Sequence, residues 1–260
     1  MRFVAWLFVL GLALVGCGRT QQQAQSQQGL LEQGVRKLEA RDYDGAATLF
    51  KQYVDQSPNF TVALQEVYRA YMTRPERPAA QAYAFLVQYE PRAKEIPTQI
   101  DRAGYYQVLG TLAFLAGKRN DYAQWFEKAL QLDPQNHLAM NDYAYALAED
   151  GRELEKALRL VRRAIAIKSN VGAYHDTHGW VLYKLGRYEE ALRALRLAVQ
   201  TAPDTPDLRY HLAAVYAKLG RKDDALVELE KALALKPGHE PSLQLRKQLL
   251  SEKGSQASGS

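Results

Sequence analysis

A spacing of thirty-four residues organises this chain and constrains its fold more than any other feature. Gly186, Ala191, Ala198 and Pro203 are matched thirty-four positions later by Gly220, Ala225, Ala232 and Pro237. The same interval counted toward the N-terminus from Ala191 and Ala198 reaches Ala157 and Ala164. A period of this length marks a stacked array, in which one unit cannot hide its apolar stripe alone and must lean on the next.

The residues at the recurring positions specify a pair of helices per unit. Small residues stand where helices approach closely: Gly179 and Ala213 in first helices, Ala191, Ala198, Ala225 and Ala232 in second helices. Large residues fill the rest of the seam, among them Leu182, Tyr188, Leu195, Leu212, Tyr216 and Leu229. Gly186 and Gly220 suit the left-handed residue that ends a helix. Pro203 and Pro237 stop the second helix, because proline has no amide to donate. This pattern resembles the tetratricopeptide repeat (TPR). The resemblance implies an all-α fold: a right-handed superhelical solenoid of about five to six TPR helical hairpins with a C-terminal capping helix.

The match is strongest over 103–239. Within it, Tyr122 stands where a small residue is expected, the turn from Glu149 to Glu155 is one residue longer than usual, and Ser169-Asn170 replaces the terminating proline. Residues 29–102 read as degenerate hairpins, with Gly34, Tyr43, Ala46, Phe50 and Pro58 in place, Pro75 and Pro78 in a turn, and a break at Glu95 to Asp101. The cap is expected over 240–252 and a disordered Gly/Ser-rich tail over 253–260.

The N-terminal residues set the expected compartment. Arg2 precedes an uncharged run, Phe3 to Leu14, whose twelve residues are too few for a membrane span of about 20 and suit a signal peptide over 1–16. The run ends in Leu14-Val15-Gly16-Cys17, and Cys17 is the only cysteine. This resembles the lipobox of bacterial lipoproteins, which implies acylation of Cys17 and membrane attachment through the lipid. Gly18 in place of the aspartate that marks inner-membrane retention implies an outer-membrane location facing the periplasm. Residues 17–28 then read as the lipidated cysteine and a flexible glutamine-rich tether. With one cysteine no intrachain disulfide can form, so burial must hold the fold, and 47% hydrophobic residues are ample for that. A net charge of +5 is modest, and in this compartment no nucleic-acid partner is expected.

The TPR resemblance also implies a concave groove lined by first helices, with the fifth, ninth and twelfth residues of each repeat facing a protein or extended peptide. Those positions hold Gln107, Thr111 and Phe114; Asn141, Tyr145 and Ala148; Asp176, Trp180 and Tyr183; Tyr210, Ala214 and Ala217, with Lys184 and Lys218 at the rim. Tyr145, Trp180, Tyr183 and Tyr210 would form an aromatic strip of the kind found at interface hot spots. Two placements are open to them: a binding surface, or packing between hairpins and against the C-terminal helix. The paired lysine and asparagine positions of the family's carboxylate clamp are occupied here by Asn141 with Tyr145 and Asp176 with Trp180, so that clamp is absent. In the second helices Arg159 and Arg193 share one repeat position and Arg162 and Arg196 another, giving an expected convex basic patch.

Catalytic chemistry is thinly supported. His175 and His178 are close enough along a helix to share a face, but a zinc site needs a third protein ligand. No phosphate loop, nucleophile elbow or zincin motif is present. The expectation is therefore a lipid-anchored scaffold without catalytic residues, metal or cofactor, serving assembly of an envelope machine or recruitment of cell-wall enzymes. The alternative is an envelope glycan- or ligand-binding protein, or an enzyme, using the aromatic strip.

Overall fold

The computed structural model describes residues 18–257, and every regular element among them is helical. The signal-peptide and lipobox expectations fall on residues 1–17, outside the described residues. The described chain divides into two compact units between residues 134 and 135. The first holds α1 (Gly18–Glu39), α2 (Tyr43–Gln56), α3 (Phe60–Met72), α4 (Ala79–Val87), a 3-10 helix (Glu90–Glu95), α5 (Gln99–Leu115) and α6 (Tyr122–Leu132). The second holds α7 (His137–Asp150), α8 (Leu154–Ile167), α9 (Gly172–Lys184), α10 (Tyr188–Thr201), α11 (Pro206–Lys218), α12 (Lys222–Leu235) and α13 (Glu240–Ala257). Within each unit consecutive helices pair as hairpins, each hairpin lies against the next, and α13 covers α12. That is the all-α repeat architecture expected from the period.

One contact recurs at the hairpin seam. Gly34 faces Phe50, Gly110 faces Phe126 and Gly179 faces Leu195, each pair sixteen positions apart. A Cβ on these glycines would lie 2.4, 2.9 and 2.5 Å from the facing side chain, so the absence of a side chain is what lets the helices close. In the other two well-formed hairpins the same places hold Ala144 with Val161, one position further apart because of the longer turn, and Ala213 with Leu229, all buried. Each large residue buried in this way contributes roughly 1.5–3 kcal/mol.

The hairpin turns share one geometry. Gly117, Gly151, Gly186 and Gly220 each end a first helix with φ of +70°, +66°, +77° and +73°. The next amide reaches back to close the helix end, as from Arg187 N to Leu182 O at 2.9 Å and Arg221 N to Tyr216 O at 2.9 Å. Arg41 fills this role between α1 and α2 at φ +58°, with Asp42 N bonded to Lys37 O at 2.8 Å. A side chain there costs roughly 1 kcal/mol against glycine. The extra residue between α7 and α8 is Glu153, absorbed in a left-handed conformation at φ +46°.

Several sequence expectations are revised. Tyr122, in the small-residue slot, is fully buried and meets Phe114 and Phe126 edge-on at 6.0 and 6.4 Å. The degenerate hairpin α3/α4 lacks the glycine seam and packs rings instead: Phe50 with Tyr71 at 5.5 Å, Phe50 with Phe85 at 6.0 Å, and Phe85 with Tyr89 at 5.4 Å. The break before α5 is narrower than expected. The 3-10 helix runs to Glu95, and Thr98 caps α5 by accepting from Asp101 N at 3.0 Å.

The glutamine-rich stretch after Gly18 is the start of α1, not a flexible tether. Glutamine loses little rotamer freedom in a helix, so a helix nucleated on α2 extends through it. In the same way α13 runs on to Ala257, through residues expected to be disordered, because no proline follows Pro241 to stop it. Among the described residues no helix is long and apolar enough to cross a membrane.

Candidate partner-binding surface

In the second unit α7, α9 and α11 adjoin one another, so first helices form one wall while α8 and α10 lie against α9 and α11. The structure brings Tyr145, Asp176, Trp180, Tyr183, Lys184 and Tyr210 together on this wall, but in two layers. Trp180 is the floor, at 5% exposure. Its indole stacks on Tyr183 (4.7 Å, 4°) and on His211 (4.1 Å, 21°), and Tyr210 tilts against it at 6.1 Å. Its N–H donates to the Glu149 carboxylate, and Lys184 Nζ lies 5.0 Å above the ring. Trp180 is therefore a packing residue and not an open contact, because the next hairpin supplies His211 to cover its face. Asn141, Ala148 and Ala214 are buried too. Tyr145, Tyr183, Lys184 and Tyr210 remain partly exposed, and Lys218 is exposed on α11.

A line of histidine–carboxylate contacts fastens the layers across hairpins. His211 Nδ1 of α11 donates to Asp176 Oδ1 of α9 at 2.8 Å, and His211 is 4% exposed. His239, just before α13, donates from Nε2 to Asp207 Oδ1 at 3.1 Å and meets Ser242 Oγ at 2.7 Å. Burial raises the Tyr145 phenol, and the carboxylates of Glu149, Asp176 and Asp207 raise it further. Burial works against the Asp207 carboxylate, yet the His239 hydrogen bond and the charges of His211 and His239 hold its pKa below the usual range.

For His211, burial opposes the charged form most strongly, but Asp176, Asp207 and Glu149 together outweigh it and raise its pKa. A raised histidine stabilises the fold fully below its unfolded pKa of about 6.5, and that contribution is lost as pH rises through the folded value. Above about pH 6.5 the chain should thus lose stability as pH rises, whereas below it His178, whose pKa burial lowers to about 4, works in the opposite direction. An Asp176→Asn variant should lose most of the His211 slope in denaturant titrations run across the range.

In the first unit, Gln107, Thr111 and Phe114 lie along α5. Gln107 Nε2 reaches Thr111 Oγ1 at 3.3 Å, Thr111 Oγ1 donates to Gln107 O at 3.1 Å, and Phe114 leans on Tyr122.

The expected four-arginine patch is divided by the structure. Arg159, Arg162, Arg193 and Arg196 are all exposed. Arg196, however, is turned toward α11 and donates to the Tyr216 hydroxyl from Nε and Nη2 at 3.3 and 3.2 Å. Arg162 and Arg193 instead flank a cleft over α9. His175 Nε2 donates to Ser169 O at 2.7 Å. Among the described residues no group of three His, Cys, Asp or Glu side chains is placed to hold a metal ion.

The fastening residues His211, Glu149, Asp207 and His239 were missed in the sequence. Their one signal is that each contact spans close to one repeat, from Asp176 to His211, Glu149 to Trp180 and Asp207 to His239.

Comparison with known proteins bears on residues 125–159 and 182–249, which match two models of the tetratricopeptide repeat. A TPR repeat-containing protein of Pseudomonas aeruginosa is 37% identical over 101 residues, covering 37% of this chain and 17% of that protein. The crystal structure of the APC/C hetero-tetramer Cut9–Hcn1 superposes with a TM-score of 0.64 at 18% identity, over 85% of this chain and 42% of that one. The crystal structure of YrrB, described as a TPR protein with an unusual peptide-binding site, gives a TM-score of 0.50 at 21% identity, over 76% and 97% of the two chains. The chain carries tetratricopeptide repeats, and it spans less than half the length of the first two of these proteins.

Proposed function

We propose that this repeat-bearing chain is a non-catalytic scaffold that holds another protein, as an extended segment, along the first-helix wall of its second unit. One observation carries the reading. Tyr145, Tyr183, Lys184 and Tyr210 are held together over a floor that Trp180, His211 and Asp176 lock in place. Rigid aromatics backed by a fixed layer lose little entropy on binding, which is what turns contact area into affinity. YrrB, with its peptide-binding site, supports the reading through the shared repeat architecture.

The second part of the proposal is the anchor. The Leu14-Val15-Gly16-Cys17 sequence supports acylation of Cys17 and attachment to the cell envelope, at the periplasmic face of an outer membrane. Attachment would raise the local concentration of whatever the wall holds. Assembly of an envelope machine and recruitment of cell-wall enzymes are the roles that fit.

A photoreactive residue at position 183 in living cells tests both parts. It should yield a crosslink to one defined protein in the membrane fraction. Tyr183→Ala with Lys184→Ala should weaken capture about tenfold or more, by analogy with other aromatic hot spots, while lowering stability only by the roughly 0.5–1.5 kcal/mol of the stack on Trp180, too little to unfold the wall. Cys17→Ala should move the chain to the soluble fraction. Capture unchanged by the double replacement would remove the wall from the account, and membrane retention without Cys17 would remove the anchor.

A further inference from the structure

A second surface lies on a different flank of α9 from Asp176, Trp180 and Tyr183, and it stands independently of the proposed wall. Residues of α8, α9 and α10 enclose a cleft of about 380 Å³. Its lining includes Arg162 of α8, His178 and Leu182 of α9, and Arg193 and Leu197 of α10. Among the described residues neither guanidinium donates a hydrogen bond or closes an ion pair. The acid in the lining, Glu190, is already taken by a two-pronged contact from Arg187 at 2.7 Å on both prongs. Two uncommitted forks therefore face one recess.

The lining of the recess holds the second observation. His178 Nε2 is buried and has no hydrogen-bond partner. Burial, then Arg162 and His175, lowers its pKa to about 4, so the ring is neutral near neutral pH. A buried polar nitrogen without a partner is destabilising by roughly 1–3 kcal/mol, so one left beside two free arginines marks a place where a polar group belongs.

We propose that this cleft binds a carboxylate of a partner polypeptide, flanked by an apolar side chain. Arginine forks match the plane of a carboxylate and bind it two-pronged. The neutral imidazole supplies a further hydrogen bond, and Leu182 and Leu197 take the apolar neighbour. A recess between helices also favours a protruding side chain over a flat lipid surface, which calls for an outward-facing array of basic residues.

The test uses the full chain labelled at histidine nitrogen, with the His178 ring signals read by NMR. Ac-Leu-Glu-Leu-NH₂ presents a side-chain carboxylate and Ac-Leu-Leu-Leu-OH a terminal one; either or both should shift the His178 signals saturably, which also identifies the source of the carboxylate. Ac-Leu-Gln-Leu-NH₂ should bind about tenfold more weakly or worse, and Arg162→Gln with Arg193→Gln should weaken the acidic peptides to the same degree. Both arginines are exposed, so the double variant should keep the parent's unfolding midpoint. Equal binding of the glutamine peptide, indifference to the double replacement, or His178 shifts caused by phosphatidylglycerol vesicles and by neither acidic peptide would each overturn the proposal.

Discussion

Replacing Trp180 with alanine will lower the stability of the chain by about 3–5 kcal/mol, the range for emptying a buried aromatic site. The side chain is 5% exposed and lies between the rings of Tyr183 and His211. Its removal also strips Glu149 of the indole donor and opens one face of His211, whose contact with Asp176 links α11 to α9. Denaturant unfolding followed by circular dichroism is the measurement. Trp180→Phe keeps a ring between the two stacks and loses only the donor, so it should recover more than half of the loss. A Trp180→Ala chain as stable as the parent, yet unable to hold a partner, would show that the indole faces the ligand after all. The consequence for mutagenesis is direct: loss of binding on Trp180→Ala reports damage to the wall and not the removal of a contact, and Tyr183 and Lys184 are the positions to test.

Gly179→Ala should also destabilise, by about 1–3 kcal/mol, the usual cost of overpacking a closed core. Helix propensity argues the other way, since alanine in place of a helical glycine gains roughly 1 kcal/mol. The new Cβ would lie 2.5 Å from Leu195 Cγ, 3.0 Å from Leu195 Cδ2 and 3.2 Å from the Ala191 carbonyl oxygen. Two of the three neighbours belong to one packed side chain and the third is backbone, so the helices must separate, and the steric term exceeds the propensity gain. The check is a double-mutant cycle. Leu195→Ala alone should be destabilising through lost burial, but in the Gly179→Ala background it should cost at least 1 kcal/mol less, because it removes the clash. Additive costs in that cycle would mean the close approach is not what the glycine provides.

Much of the fold was legible because its cause is periodic. Gly186 and Gly220, Ala191 and Ala225, and Pro203 and Pro237 recur at one interval because each hairpin solves the same packing problem. Where the period faded the reading faded with it. The ring cluster of Phe50, Tyr71, Phe85 and Tyr89 replaces the small-to-large seam with a locally different solution, and Tyr122 does so within the regular array. The helical state of the stretch after Gly18 was missed because it has no apolar stripe; that segment is helical by propensity and by continuity with the packed part of α1.

The candidate surfaces were legible as positions but not as roles. Repeat alignment brought Asp176, Trp180, Tyr183 and Tyr210 to neighbouring places, and it grouped Arg159, Arg162, Arg193 and Arg196. The sequence by itself thus determined the helical class, the repeat register and which residues share a face, because these follow from spacing along one helix. Only the tertiary structure decided that His211 covers Trp180, that Arg196 is spent on Tyr216, and that Arg162 and Arg193 open onto the unpartnered His178. Those outcomes depend on side chains from separate hairpins competing for the same space and the same hydrogen bonds, and that competition is settled only when the hairpins are stacked.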